Sequence, residues 1–304
     1  MSNTTLKPKD EAPLLLGRQK MLAWAILILL AIVWGSSFIL MKKGLLVYPP
    51  LQVAALRVGF AFIFLVGLAV VRFRKVPKNK WKALFVSGLV GVFIPAFLFP
   101  LAQTHVDSAI TGVLNALTPM SALVLGVVIF RQKTVRTKVI GILIGFVGII
   151  CLIFTNANGG VSFNAYALFA IAATVCYGFN LNYIKHYLHD MKSLDISVFS
   201  ISLVGPFALV YLFASDFTTI YTHKEGSVLA LVYIAILGIA GTAIALVLFN
   251  RLLQMTNPIF ASSVTYLIPL VAIILGVLDK EEILPSHYIG MTITILGVWL
   301  VNRK

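Results

Sequence analysis

Apolar residues run along this chain in blocks of about 20, separated by short polar stretches, without the strict alternation of a half-buried strand. Residues 83–106 contain no Asp, Glu, Lys or Arg, and neither does the stretch 139–184, which is two such blocks long. A helix that crosses a bilayer needs roughly 20 mostly apolar residues, whereas strands of a membrane barrel alternate over segments of about 10. The pattern therefore predicts an all-α integral membrane protein with ten transmembrane helices, at 21–41, 50–71, 83–104, 107–130, 137–154, 163–184, 194–214, 228–250, 258–278 and 286–302. Residues 1–20 are polar and read as a cytoplasmic tail.

Composition supports the same class. Of 304 residues, 60% are hydrophobic and 11% charged, more apolar surface than a soluble domain of this length buries. The formal net charge of +14 raises the question of nucleic acid, which the placement of the charges answers. With the N-terminus inside, 19 Lys and Arg residues fall on the inner side, and Lys42, Lys43, Lys224 and Lys280 fall on the other. The positive-inside rule then puts both termini in the cytoplasm, and nucleic acid is not needed to explain the charge. Cys151 and Cys176 fall inside spans and read as small apolar residues. The block 21–41 is too long for a signal-peptide core and is expected to be a retained span.

Laying 21–154 over 163–304 exposes an internal repeat. Trp34-Gly35-Ser36-Ser37 falls on Tyr177-Gly178-Phe179-Asn180, Gly91 on Gly241, Phe99 on Phe249, Pro119 on Pro269 and Gly126 on Gly276. With five helices per half, the second half starts on the opposite side of the membrane from the first. The chain therefore reads as two inverted five-helix repeats, a design in which exchanging the conformations of the halves exchanges inward and outward access.

The residues Trp34-Gly35-Ser36-Ser37-Phe38, Arg57, Leu117-Thr118-Pro119 with Gly141, and Leu267-Ile268-Pro269 with Glu281 and Gly290 resemble the drug/metabolite transporter superfamily, in its EamA-type branch. The resemblance covers nearly the whole chain after the tail. It implies a basket of ten helices around a central cavity, handling amino acids or other metabolites, often as an exporter. Members typically carry Gly-Glu nine residues before the glycine of the next helix. Glu281 keeps that spacing to Gly290, while Lys280 replaces the preceding glycine and the first half has Gln132.

Candidate binding residues follow from facing positions. Trp34, Ser37 and Met41 share one helical face, and Tyr177, Asn180 and Ile184 repeat it, offering an aromatic wall with hydrogen-bonding groups. Pro119 and Pro269 are candidate helix hinges that free the carbonyls of Asn115 and Thr265, both polar residues. Tyr266 and Gln103 are further polar candidates. Arg57, roughly 10 Å from the end of its helix, either attracts an anionic group or snorkels outward. No carboxylate sits mid-span, which argues against a central proton-binding acid. Glu281 and Glu282 read as a cap for the last helix, and the glycines at 141, 145, 148, 290 and 297 as close helix contacts.

Together these readings give a secondary transporter of small polar metabolites, not an enzyme, in a bacterial cytoplasmic membrane. A lipid flippase and a membrane-embedded lipid-modifying enzyme are the alternatives. No cofactor or metal is expected. The expected partners are a small-molecule substrate and the lipid bilayer, with a homodimer left open.

Overall fold

A computed structural model describes residues 17–132, 134–153, 163–256 and 264–302, and these form helices joined by short turns, with no strand among them. In chain order the helices are α1 (Gly17–Leu45), α2 (Pro50–Arg72), α3 (Trp81–Gly88), α4 (Ile94–Gln103), α5 (Ser108–Asn115), α6 (Thr118–Val128) and α7 (Arg136–Ile153). They are followed by α8 (Ala167–Tyr187), α9 (Ser193–Ala214), α10 (Phe217–His223), α11 (Ser227–Gly238), α12 (Ala245–Met255), α13 (Val264–Leu278) and α14 (Pro285–Asn302). Among the described residues, seven helical stretches are long and apolar enough to cross a membrane. Helices α7, α13 and α14 have 18, 15 and 18 residues. The protein is an integral membrane protein. Large apolar side chains such as Leu143, Phe146 and Phe213 face outward at 62%, 58% and 67% exposure, as lipid contact allows.

Four expected helices differ in detail. The span expected at 83–104 contains a π-helical turn, Leu89–Phe93, between α3 and α4, and α11 and α12 are joined by a second one, Ile239–Ile244. The span expected at 107–130 is interrupted after Asn115 and resumes at Thr118, because Pro119 fits the first turn of a helix better than its interior. At the break Ala116 and Leu117 donate to Val113 and Leu114, three residues back, and the turn tightens without losing its bonds. The first span extends past 41 to Leu45, its final turn carrying Lys42 and Lys43 where cations suit a helix C-terminus.

Elements from the two ends of the sequence interleave. Helix α1 packs on α13, α11 and α12; α2 packs on α9; and α8 packs on α4 and α6. Close approach is set by small residues: a Cβ on Gly88 would lie 2.2 Å from the Ser200 carbonyl oxygen. Helices α7 and α14 pack chiefly on each other through glycines. A Cβ on Gly297 would come within 2.4 Å of the Gly145 amide nitrogen, and one on Gly148 within 2.5 Å of the Thr294 amide nitrogen. These contacts are backbone to backbone, so no rotamer change relieves them.

A substitution pair tests this packing. Gly297→Ala should destabilise the purified protein by about 1–3 kcal/mol, the usual cost of overpacking. Gly67→Ala, with nothing within 4 Å of its added Cβ, should be neutral or slightly stabilising by thermal unfolding in detergent.

Candidate functional site

Both π-helical turns face the middle of the bundle, and each presents a glycine to the first long helix of the other half of the chain. Gly241 meets Ser37: a Cβ there would lie 2.8 Å from the Ser37 hydroxyl oxygen. Gly91 meets Asn180: a Cβ would lie 2.0 Å from its Nδ2. Between these contacts lies a cavity of about 210 Å³. Its walls carry Trp34, Ser37, Asn115, Tyr177, Asn180 and Thr265, six of the candidates named from the sequence. Tyr266 falls on α13, and its side chain lies outside the described residues.

The bonds in the cavity are unevenly shared. Trp34 Nε1 donates to the Gly241 carbonyl at 3.0 Å, fixing the indole on the π-helical turn, and Ser37 Oγ donates to the Val33 carbonyl at 2.8 Å. The Thr118 hydroxyl donates at 2.8 Å to the Asn115 carbonyl, the group that Pro119 leaves without its helical donor. Pro269 lies inside α13, which continues through it. Asn180 differs: its Oδ1 is buried and has no hydrogen-bond partner among the described residues.

Arg57 turns inward. It is 9% exposed, its Nε donates to Thr242 Oγ1 at 3.0 Å, and its guanidinium meets the Tyr177 hydroxyl. The outward, snorkelling alternative is thereby overturned. The arm reaches α2's packed face, where Thr242 and Tyr177 provide acceptors that lipid does not.

Residues that the facing argument missed also line the cavity. Phe38, Phe99 and Phe249 form the apolar wall, with Trp34 5.2 Å from Phe249 and Phe99 5.9 Å from Tyr177 between ring centroids. Phe99 and Phe249 occupy matching repeat positions, a signal that pointed to them. Thr242 had no signal beyond following Gly241. Gln103 donates to the Phe38 carbonyl at 3.1 Å and serves as a tie between α4 and α1.

At the end of the bundle bearing Lys42, the structure corrects the reading of Glu281. It caps α5, not the last helix: its carboxylate accepts from the Ser108 hydroxyl at 2.6 Å and from the Ser108 and Ala109 amides at 3.0 Å each. Lys42 pairs with both Glu281 and Asp279 at 2.9 Å, and Lys43 pairs with Asp279. The Glu281 side chain is completely covered. Burial pushes its carboxyl up, but the Ser108 hydroxyl, Lys42 and the two amides outweigh that and hold it below its ordinary value. Lys43, then Lys42, hold Asp279 low as well. Nearby Asp107 is pushed up, by burial first and then by the Glu281 charge.

Lys280 has φ of 60°, the left-handed position at which a helix usually ends on glycine, so the departure at this position falls where conformation makes glycine favourable. Arg131 has φ of 52° at the corresponding turn. After it, Gln132 Nε2 donates to Asn182 Oδ1 at 2.9 Å near the opposite end of the bundle.

A helical membrane bundle around an aromatic, sparsely polar cavity is the architecture of a small-molecule transporter. Residues 21–154 and again 164–303 match the EamA-like transporter family, and the chain belongs to that family. It is 26% identical to the uncharacterized inner membrane transporter YedA of Escherichia coli strain K12, over 94% of this chain and 92% of that protein. An uncharacterized transporter of Archaeoglobus fulgidus is 24% identical over 92% of this chain and 99% of its own length. A solved crystal structure with 15% sequence identity shares the fold with a TM-score of 0.61, over 92% of this chain and 96% of that one.

The Glu281 cluster predicts a pH dependence. Because the folded protein lowers the Glu281 pKa, its contribution is present in full above the ordinary glutamate value of 4.5 and is lost as pH falls through the lowered value. Glu281→Gln should therefore cost about 1.5–3 kcal/mol at pH 7, the usual worth of hydrogen bonds to a charged group, and the gap from wild type should close in acid. A gap in thermal stability that is the same at every pH would show that charge is not what the clamp uses.

Proposed function

We propose that the protein is a secondary carrier that moves small polar metabolites, amino acids or related compounds, by alternating access. In this reading it has ten spans in two inverted halves and lies in the bacterial cytoplasmic membrane with both termini inside. The observation that carries the proposal is the mid-bundle cavity, walled jointly by elements from both halves of the chain.

The contacts at the two ends support it. Glu281 with Lys42, Ser108 and Ala109 ties the halves together at one end, and Arg72 with Asp195, Lys80 with Asp190 and Gln132 with Asn182 tie them at the other. Alternating access requires one set to hold while the other parts. Both ends carry ion pairs between the halves, and both sets weaken with salt where they are exposed. The names of the relatives, transporters in each case, agree with this reading.

Purified protein in liposomes should give saturable counterflow of its substrate. Trp34→Phe keeps the ring but removes the donor to the Gly241 carbonyl, and should lower the rate about tenfold, the equivalent of one buried hydrogen bond. Broad metabolite screens that yield only unsaturable conductance would replace the carrier with a channel, and scrambling of labelled lipid would replace it with a flippase.

A further inference from the structure

The end of the bundle bearing Lys42 holds a second cavity, of about 730 Å³, whose described lining residues are all different from those of the central one. Asp107 and Glu281 both line it, and they compete for one place. Asp107 directly precedes α5 with φ of −58° and ψ of 152°, the extended backbone of a capping residue. Aspartate is favoured there because its carboxylate accepts from the second or third amide of the helix. Its side chain makes no such bond, and no ion pair engages it among the described residues. The second amide, that of Ala109, goes instead to Glu281 from the other half of the chain, with the Ser108 amide and hydroxyl. Gly276 makes room for this guest: a Cβ there would lie 2.5 Å from Glu281 Oε2 and 2.8 Å from the Ala109 Cβ. The helix start thus has two carboxylates for one set of amides, a distant one engaged and a local one idle.

The idle carboxylate sits in a field set by its rival. Burial first, and then the Glu281 charge, disfavour its ionised form; Lys42 and His287 act the other way, and Glu282 adds to the Glu281 effect. Lys42 reaches in from α1 and is itself shared with Asp279, whereas His287 stands on α14 at 6% exposure and accepts the Leu284 amide on Nδ1 at 3.4 Å. The remaining ionisable groups on the described wall are Lys280 and the stacked rings of His105 and Tyr166, 3.7 Å apart. Glu281 therefore acts on Asp107 twice: it occupies the amides that would stabilise the Asp107 charge, and it repels that charge.

We propose that Asp107 is the stand-by cap of α5, a positioning residue that takes the Ala109 amide when Glu281 withdraws and gives up a proton to solvent as it does so. This rests on the carrier reading above, in which this end has to part, and it names what then holds the start of α5. With Glu281 engaged, Asp107 binds its proton at a higher pH than an ordinary aspartate; with Asp107 capping, the amide favours its charged form and the proton is bound only at lower pH. Between those two values acid favours the joined end, and joining takes up a proton. The effect is bounded below by the lowered Glu281 value, where the clamp itself is lost.

The test uses the purified full-length chain in detergent and needs no transported compound, because Glu281→Ala vacates the cap. Thermal unfolding at pH 7 is compared for Asp107→Ala, Glu281→Ala and the two together. Alone, Asp107→Ala should leave the melting temperature unchanged or raise it, since it removes no hydrogen bond and relieves one repulsion. In the Glu281→Ala background the same substitution should lower it, and Asp107→Asn should not, because asparagine caps as well as aspartate. Infrared difference titration, with the Asp107 band assigned by its loss in Asp107→Asn, adds a readout that packing does not move. Asp107 should lose its proton above pH 3.8, the ordinary aspartate value, in the wild type and below it in Glu281→Ala. If Glu281→Ala does not fold, Glu281→Gln takes its place in the titration and should lower the Asp107 value in the same direction.

An equal effect of Asp107→Ala in both backgrounds overturns the proposal, as does a proton affinity of Asp107 that is the same with and without the Glu281 carboxylate. Saturable counterflow in liposomes would then leave the carrier standing without this exchange of caps. The expected cycle and titration, found in a protein with no saturable counterflow for any compound, would keep the exchange and remove the carrier.

Discussion

Hydrocarbon offers a peptide group no hydrogen bond, so every irregularity inside this bundle has to be satisfied from within the chain. The irregularities are where the site is built. The π-helical turn at Ile239–Ile244 presents the Gly241 carbonyl, which takes the Trp34 indole. Pro119 strips the Asn115 carbonyl of its donor, and the Thr118 hydroxyl replaces it. The start of α5 leaves amides free, and Glu281 receives them. Each repair places a side chain at a fixed point, and two of the three border the central cavity.

The charges follow the same economy of position. Cations at the ends of the bundle meet carboxylates: Lys42 with Asp279 and Glu281, Arg72 with Asp195, Lys80 with Asp190. Arg57, on the wall of the central cavity, meets hydroxyls among the described residues, those of Thr242 and Tyr177. Paired charges hold helix ends in place, whereas Arg57 is held by neutral hydroxyls. The aromatic walls beside Arg57 supply contact area with little polarity of their own.

Much of this is legible in the residues. Long uncharged runs define the spans, glycines at 145, 148, 290 and 297 mark the α7–α14 contact, and three- and four-residue spacing places Trp34 with Ser37 and Tyr177 with Asn180. Those features are local or periodic. What the sequence leaves undecided depends on partners far along the chain. The direction of Arg57 is set by Thr242, 185 residues away, and the task of Glu281 by Ser108, 173 residues away. Glu281 reads locally as a cap for the helix that follows it, and only tertiary packing brings α5 nearer. The π-helical turns at Leu89–Phe93 and Ile239–Ile244 have glycines but no distinctive local spacing. The break before Pro119 was foreseeable, yet a similar proline at 269 sits in a continuous helix, so proline alone does not decide the geometry.

The Glu281 cap also bears on how the chain is made. Ser108 emerges from the ribosome 173 residues ahead of the carboxylate that will hold it, a delay of about 10–35 s at ordinary rates of synthesis. Throughout that interval the start of α5 lacks that carboxylate and has to stay at the wet face of the bilayer, where water can serve. The fourth span is therefore inserted early and locked late. A nascent chain halted before residue 281 holds most of its helices but lacks the acid that accepts from the Ser108 and Ala109 amides.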